Sequence, residues 1–247
     1  MATDPRAVAV QYSLPASLRE WELPEVPVPE SPVHDEIADR LRSVLVAWEA
    51  RSGQAGAVRR NLAIRWDEVH PRVGVDPDVC WLETVPPGFH DGEIDSLKLW
   101  LPGHVVPPLA VEIVSRSHPY KDYGWVQDKY AVVGVRELWV YDPYRFGPRA
   151  RGGPVLLQLW VRTADGVLRE TYHGDAPVRS PLLGAWLLPH PKGHLELAAS
   201  ADGTSPWFTE AEQERARAEQ ERARAEQERA KVAALEAELA ELRSRQT

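Results

Sequence analysis

The chain has 247 residues and a net charge of −8, and its composition excludes several classes of protein. The single cysteine, Cys80, rules out a disulfide framework within the chain and disfavours a cysteine-based zinc site. A membrane-spanning helix would need a run of about 18 apolar residues, which is lacking, and the first residues do not resemble a signal peptide. We therefore expect a cytoplasmic protein without a membrane segment.

The first predicted elements are an extended arm and an amphipathic helix. Residues 1–30 are rich in proline and acidic residues and predict an extended N-terminal arm. Ser31 and Pro32 are typical of a helix start, and the GQAG stretch ends the predicted helix. Its apolar residues recur at helical spacing: Ile37, Leu41, Val44, Leu45 and Trp48.

The following segments alternate between strand patterns and one helix pattern. Strands are predicted in NLAIRWDEV, DVCWLE, LAVEIVS and RELWVYDP, and a helix ended by Gly134 is predicted in KDYGWVQDKYAVVG. LLQLWVRT and GVLRETYH predict a β-hairpin, and PLLGAWLLPH and HLELAAS predict strands that cover the sheet edge. This order predicts an α/β domain over residues 31–206, with a mixed central sheet flanked by helices and a parallel crossover between Leu109 and Asp142.

Residues 209–247 form a charged tail with ten acidic and eight basic residues, so −2 of the net charge falls on the tail and −6 on the rest. The sequence ERARAEQ occurs twice in succession, at 214–220 and 221–227, which favours a helix. Only the end of the tail has an apolar seam, formed by Val232, Leu235, Leu239 and Leu242. The seam predicts a coiled-coil homodimer, and the alternative is a solvated single helix.

Two carboxylates interrupt apolar strands. Asp78 follows Pro77 and opens one strand, and Glu112 lies between Val111 and Ile113 in another. A buried carboxylate is costly unless it is paired or binds a cation. If the two strands are neighbours, the two acids could share one Mg²⁺ or Mn²⁺ ion at an edge of the sheet. The alternatives are a buried ion pair for Glu112 and a turn for Asp78.

Other reactive residues have simpler interpretations. We interpret Cys80 as a buried structural thiol and Asp142, which precedes Pro143, as the end of a strand. The sequence contains no HExxH, GxxxxGK[ST], GxGxxG or GxSxG pattern, which argues against a zinc hydrolase, a nucleotide-binding protein and an α/β-hydrolase. An acidic protein can still act on DNA through a local basic rim. Five residues could form that rim or be ordinary surface charges: Arg116, Lys121, Arg145, Arg149 and Arg151.

The spacing of 34 residues between Asp78 and Glu112, followed by a short helix ending in Tyr130 and by GVRELWVYDP, resembles the Uma-type restriction endonuclease family of the PD-(D/E)XK nuclease superfamily. SPVHDEI, which contains His34, resembles the opening helix of that family, and DSLKLW resembles the segment before its glutamate strand. The resemblance covers roughly residues 30–200. It implies a restriction-endonuclease-like fold and a Mg²⁺-dependent endonuclease that acts on DNA.

The resemblance implies that Asp78 and Glu112 are metal ligands, but the expected lysine is displaced. The superfamily's usual lysine position, two residues after the glutamate, holds Val114, and the position usual in the Uma-type family holds Val126. Lys121 or Lys129 could supply the missing charge. A third acid from the first helix, Glu36, is a weaker candidate.

Three functions therefore remain open from the sequence. The first is a metal-dependent DNA endonuclease. The second is a catalytically impaired relative that binds nucleic acid or a partner, which the displaced lysine favours. The third is a structural module that the tail assembles into dimers, with the acids serving only in ion pairs.

Overall fold

The computed structural model describes residues 7–8, 21–23, 31–89, 96–117, 119–149 and 153–244. The chain forms two compact units, Met1–Trp207 and Phe208–Thr247. The elements in chain order are β1 (Ala7–Val8), α1 (Pro32–Ser52), β2 (Ala57–Arg60), β3 (Ala63–Arg65), β4 (Gly74–Val75), β5 (Val79–Leu82), β6 (Ser96–Lys98), β7 (Leu109–Ile113), α2 (Pro119–Tyr123), α3 (Val126–Val133), β8 (Glu137–Tyr141), β9 (Leu157–Arg162), β10 (Leu168–Gly174), β11 (Val178–Arg179), β12 (Trp186–Pro189), β13 (Leu195–Ala198) and α4 (Glu210–Ser244).

Helix α1 begins and ends at the predicted signals. The Ser31 hydroxyl accepts a hydrogen bond from the His34 amide at 3.3 Å, and Pro32 stands in the first turn, where its missing amide proton is not needed. The chain leaves the helix through Gly53, whose φ of 65° is left-handed. The predicted apolar residues form the buried face of α1 and pack in one core with residues of the main sheet.

The main sheet has seven strands among the described residues, in the order β1-β10-β9-β8-β7-β5-β2. Strands β7 and β8 are parallel, and the other pairs in this sheet are antiparallel. Because side chains alternate along a strand, the six strands from β10 to β2 contribute to a core on both faces. Val111 packs in the core that contains α1, whereas Ala110 packs in the core that contains α2 and α3. The prediction of a mixed sheet flanked by helices is confirmed.

The crossover between β7 and β8 contains two helices instead of the predicted single helix. Helix α2 ends at Tyr123 and α3 begins at Val126, with Gly124 and Trp125 between them. Glycine favours such a break because it has a low helix propensity. The prediction that Gly134 ends the second helix is confirmed, since its φ is 99° and its amide donates to the Tyr130 carbonyl at 3.0 Å.

Two small sheets pack against the main one. Strands β11, β12 and β13 form a separate antiparallel sheet, and Leu187, Leu195 and Leu197 from it pack in the core that contains α1. The predicted strands β12 and β13 are therefore present, but they pack in a core on one face of the main sheet instead of covering its edge. Strands β4, β3 and β6 form the other small sheet, which contributes to the opposite core. Strand β2 was not predicted, because its sequence, AVRR, does not alternate between apolar and polar residues.

The described pieces of the N-terminal arm pair with the sheets. Residues Ala7–Val8 form β1, the edge strand beside β10. Further along, Glu22 bridges to Val73, and the Leu23 amide donates to the Arg72 carbonyl at 2.8 Å.

The second unit contains helix α4, Glu210–Ser244. The Thr209 hydroxyl accepts a hydrogen bond from the Glu212 amide at 3.3 Å, and the Glu212 carboxylate accepts one from the Thr209 amide at 2.9 Å. This reciprocal pair is a capping box. Val232 and Leu235, the described side chains of the predicted seam, are 53% and 60% exposed in the single chain. Among the described residues, no helix is long and apolar enough to cross a membrane.

Candidate active site

Asp78 and Glu112 lie opposite each other on adjacent strands. Val79 of β5 pairs with Val111 of β7, and the same antiparallel register continued by one residue places Asp78 opposite Glu112. Both residues are buried, with 8% and 1% of their surface exposed. Strands β5 and β7 are interior strands, so the pair lies at strand ends within the sheet and not along its outer edge.

The Asp78 carboxylate is fixed by the neighbouring strand and by α1. Its Oδ2 accepts a hydrogen bond from the Ile113 amide at 2.5 Å. The His34 Nε2 lies 3.4 Å from the same oxygen and 3.1 Å from the Ile113 carbonyl oxygen. The sequence pointed to His34 only because SPVHDEI resembles the opening helix of the Uma-type family. In the structure, His34 lies in the first turn of α1. The weaker candidate of that turn, Glu36, is exposed.

Lys121 is the candidate lysine that reaches the carboxylates. Its Nζ lies 3.3 Å from Glu112 Oε2 and 3.8 Å from Asp122 Oδ1. Lys121 is the third residue of α2, which follows β7 after a short loop, and this brings its side chain back over the end of that strand. Lys121 thus brings an ammonium group to the acids, although Val114 and Val126 carry none.

Lys129 has different partners. Its Nζ donates to the Gly74 carbonyl at 3.2 Å and lies 4.8 Å from the centre of the Trp125 ring. Its neighbour on α3, Tyr130, instead donates its hydroxyl proton to Glu112 Oε1 at 2.5 Å. Successive helical residues point about 100° apart, so Tyr130 faces the acid pair and Lys129 does not.

Asp122 is a third carboxylate beside the pair that was not singled out from the sequence as a site residue. It is 3% exposed, and its position directly after Lys121 brings it to the same cation. Its backbone carbonyl accepts a hydrogen bond from Gln127 Nε2 at 2.5 Å, which ties α2 to α3. In the sequence, Asp122 lies four residues before Val126, the position at which the Uma-type family usually has its lysine.

Burial and the crowding of acids oppose ionisation at the site. Burial raises the pKa of Glu112 to about 7; Lys121 opposes this shift and the Asp78 charge adds to it. Burial also raises the pKa of Asp122 well above its usual range. In turn Glu112 raises the pKa of Lys121, so that the ammonium group stays charged. The site thus contains more carboxylates than the single nearby ammonium group can neutralise.

Asp78 and Glu112 are the residues that could hold a metal ion. Within the described part of the chain, no three histidine, cysteine, aspartate or glutamate side chains converge closely enough to act together as ligands. Two carboxylates are nevertheless sufficient protein ligands for an ion such as Mg²⁺, which keeps several water molecules. The buried charge of Glu112 fits such an ion, because an added cation would offset the cost of its burial.

The surroundings of Cys80 and Asp142 are those of residues that stabilise the fold. Cys80 is fully buried, and burial raises its thiol pKa to about 12, which makes it a poor nucleophile. Asp142 follows β8, as predicted for a strand end, and accepts hydrogen bonds from the Phe146 amide at 2.9 Å, the Gly147 amide at 2.8 Å and the Tyr123 hydroxyl at 3.1 Å.

The predicted basic rim is only partly available to a ligand. Arg116 and Arg149 are exposed, whereas Arg145 is 2.9 Å from Asp175 in an ion pair. Lys121 faces the carboxylates. Arg151 lies outside the described residues.

Comparisons with known proteins agree with the resemblance drawn from the motifs. No curated protein matches the chain. Four solved chains match, including a crystal structure described as a putative nuclease belonging to DUF820 from Anabaena variabilis ATCC 29413. That chain is 16% identical, the match covers 64% of this chain and 76% of that chain, and the TM-score is 0.39. The Uma2 family, described as "Putative restriction endonuclease", matches residues 22–146, about half of the chain, including Asp78, Glu112 and Lys121, and the chain therefore belongs to this family.

Proposed function

We propose that this protein is a metal-dependent endonuclease that hydrolyses DNA phosphodiester bonds. Asp78 and Glu112 hold a Mg²⁺ or Mn²⁺ ion, and Lys121 is the cationic residue of the site. The observation that carries the proposal is the meeting of these three side chains at the ends of β5 and β7, with Lys121 Nζ 3.3 Å from Glu112 Oε2.

The bound ion would polarise the scissile phosphodiester and lower the pKa of an attacking water molecule. The protein contributes an orienting frame for the ligands. The Ile113 amide holds Asp78 Oδ2, and the Tyr130 hydroxyl holds Glu112 Oε1. Tyr130 is thus a positioning residue, because it fixes the direction in which the Glu112 carboxylate points.

Lys121 provides a positive charge beside the acids. Its raised pKa keeps the ammonium group protonated at neutral pH, so it can stabilise negative charge that develops on the phosphate or orient the water molecule. Lys121 is about one-third exposed, which leaves part of the side chain accessible to a substrate. This arrangement supports an active enzyme, although Val114 and Val126 occupy the positions at which the superfamily and the Uma-type family usually have a lysine.

The same ion pair also favours a second candidate, the catalytically impaired relative. Lys121 already neutralises part of the charge on Glu112, and an ammonium group in that position could replace a metal ion. Such a protein would retain the fold and the acid cluster without binding Mg²⁺. Metal binding therefore discriminates between the two candidates.

Two measurements on the full-length protein test the proposed function. Calorimetric titration with Mn²⁺ should detect binding that Asp78→Asn and Glu112→Gln remove. Nicking of supercoiled plasmid with Mn²⁺ should be lost in both variants. Glu36→Gln is the matched control, since this acid lies on α1 near His34 but is exposed, and it should retain both properties.

The outcomes separate the candidates. Cleavage by Glu112→Gln at the wild-type rate would exclude the proposed role of Glu112. Failure of the wild-type protein to bind Mn²⁺ and to nick DNA would favour the impaired relative.

A further inference from the structure

We propose that exposed aromatic side chains on α2, directly before α3 and after β8 stack on unpaired DNA bases, so that single-stranded DNA is the preferred substrate. This inference rests on the proposed nuclease function for its reaction, but the binding step can be measured separately. The side chains are Tyr120, Trp125 and Tyr144, here called the aromatic rim, and they are 72%, 37% and 36% exposed.

Tyr120 and Trp125 flank the segment that carries Lys121. Tyr120 directly precedes Lys121 on α2, and Trp125 directly precedes α3. The Trp125 ring lies beside Lys129 Nζ, which donates to the carbonyl of Gly74. These contacts tie Trp125 to β4, the strand that precedes Asp78 in the chain.

Tyr144 reaches the same end of the sheet from the neighbouring strand. Strands β7 and β8 are parallel, with Ile113 opposite Tyr141, so the segments that leave their carboxyl ends emerge together. The Tyr144 ring stacks on Phe146, with ring centres 5.5 Å apart and planes inclined by 15°. Phe146 thus covers one face of the Tyr144 ring, and a base can stack on the exposed part of that ring.

The loop that carries Tyr144 is attached to α2. Asp142 accepts hydrogen bonds from the Phe146 amide and from the Tyr123 hydroxyl. Tyr123 is the last residue of α2, two positions after Lys121. The third aromatic side chain is therefore fixed relative to the helix that carries the catalytic cation.

The chemistry of these side chains suits unpaired bases better than a duplex. Every base has an aromatic face that can stack on tyrosine or tryptophan, but base pairs in a duplex already cover these faces. Duplex binding depends mainly on cations that contact phosphates, and the part of the chain before the tail carries −6. Arg116 and Arg149 are exposed cations that can contact the phosphates of a single strand, and the aromatic rim can contact its bases.

Binding in EDTA tests the inference with full-length protein. Fluorescence anisotropy would compare three labelled DNAs of about 16 nucleotides: a single strand, the corresponding duplex, and an abasic single strand with the same phosphates. The single strand should bind more tightly than the other two. Tyr120→Ala and Tyr144→Ala should each weaken its binding by about fivefold or more.

Two controls identify the cause of any loss. Tyr120→Phe retains the ring and should bind like the wild type. Phe208→Ala removes an aromatic ring of similar exposure, 38%, from the second unit and should also have no effect. Equal affinity for the abasic strand, or a duplex that binds at least as tightly as the single strand, would overturn the inference.

The inference and the proposed function can fail independently. Asp78→Asn should bind the single strand as the wild type does in EDTA but should not cut it with Mn²⁺. A wild-type protein that binds single strands through the aromatic rim without cutting them would contradict the nuclease function alone. A protein that cuts DNA without this binding preference would contradict the inference alone.

Discussion

Lys121 and Lys129 have the same side chain and lie eight residues apart on two helices, α2 and α3, but only Lys121 contacts a carboxylate of the acid pair. If Lys121 stabilises charge on the phosphate, Lys121→Ala should lower the rate of plasmid nicking by about a hundredfold or more. Lys129→Ala is the matched control and should cut at nearly the wild-type rate. Equal rates for the wild type and both variants would show that neither lysine takes part in the reaction.

Glu112 should make stability depend on pH in metal-free buffer. Its pKa in the folded protein is about 7, above the 4.5 of an unperturbed glutamate. Ionisation therefore costs more in the folded state, so the contribution of Glu112 to stability falls as pH rises between these two values. Glu112→Gln cannot ionise and should gain melting temperature relative to the wild type between about pH 5 and about pH 8 in EDTA.

Glu36→Gln, which changes an exposed acid of α1, is the control for the substitution itself. A Glu112→Gln protein that unfolds at both pH values would indicate that the ion pair with Lys121 stabilises the fold more strongly than burial destabilises it.

The sequence could identify an unusual carboxylate but not its partners. Glu137 is also a glutamate in a buried strand with 1% exposure, so the same criterion applies to it. Its carboxylate accepts hydrogen bonds from the Ser180 hydroxyl at 2.5 Å, the Leu182 amide at 3.0 Å and the Trp139 indole at 2.6 Å. Two of these donors lie more than 40 residues away, which local pattern cannot show. The sequence likewise could not show which of Lys121 and Lys129 contacts the acid pair, because this depends on how α2 and α3 are oriented in the fold.

At the level of elements, Gly147 connects the loop after β8 to helix α2. A Cβ atom at this position would lie 2.3 Å from the Tyr123 ring, so Gly147→Ala should displace the tyrosine that donates to Asp142. We expect a loss of about 1–3 kcal/mol in the free energy of unfolding, measured by urea denaturation.

A double-mutant cycle identifies the source of that loss. In a Tyr123→Ala background, Gly147→Ala should cost much less, because the overlapping ring is absent. Equal losses in the two backgrounds would place the effect in the loop backbone instead of in its contact with α2.

The ends of α1 were predicted correctly because nearby residues determine them. The sheet to which a strand belongs was harder to predict, because it depends on residues far away in the sequence. Ser31 and Gly53 define α1 through caps within a few residues of its ends. The strands β12 and β13 also matched predicted strand segments, but their sheet membership depends on packing against α1, more than 130 residues earlier in the chain. Gly124 is a local signal for the break between α2 and α3 that the prediction of one continuous helix did not take into account.

For the whole molecule, the tail should control assembly and should be dispensable for folding. We expect the first unit to remain folded after truncation beyond Phe208. Truncation after Pro206 should be less well tolerated, because Trp207 packs against the core and its amide donates to the Leu197 carbonyl at 2.6 Å. Circular dichroism and thermal melting would test both truncations.

Because the predicted apolar seam would pair two tails, the tail should determine the oligomeric state and therefore the mass of the protein in solution. Light scattering should show a dimer for the full-length chain and a monomer for the chain truncated beyond Phe208. Leu235→Lys in the full-length chain should have the same effect, because a charge would enter the seam. A full-length protein with the mass of a monomer would exclude the coiled-coil dimer.

The burial of the only cysteine in the sequence provides a natural kinetic probe of the strand that follows Asp78. Cys80 lies two residues after that acid, and its thiol has no solvent exposure. A thiol reagent can therefore modify the native protein only when β5 opens, and the labelling rate reports the free energy of that opening. If a metal ion binds at Asp78 and Glu112, Mn²⁺ should slow labelling in the wild type and have no effect in Asp78→Asn. This readout requires neither DNA nor catalytic turnover, and it would detect ligand binding even in a protein that cuts nothing.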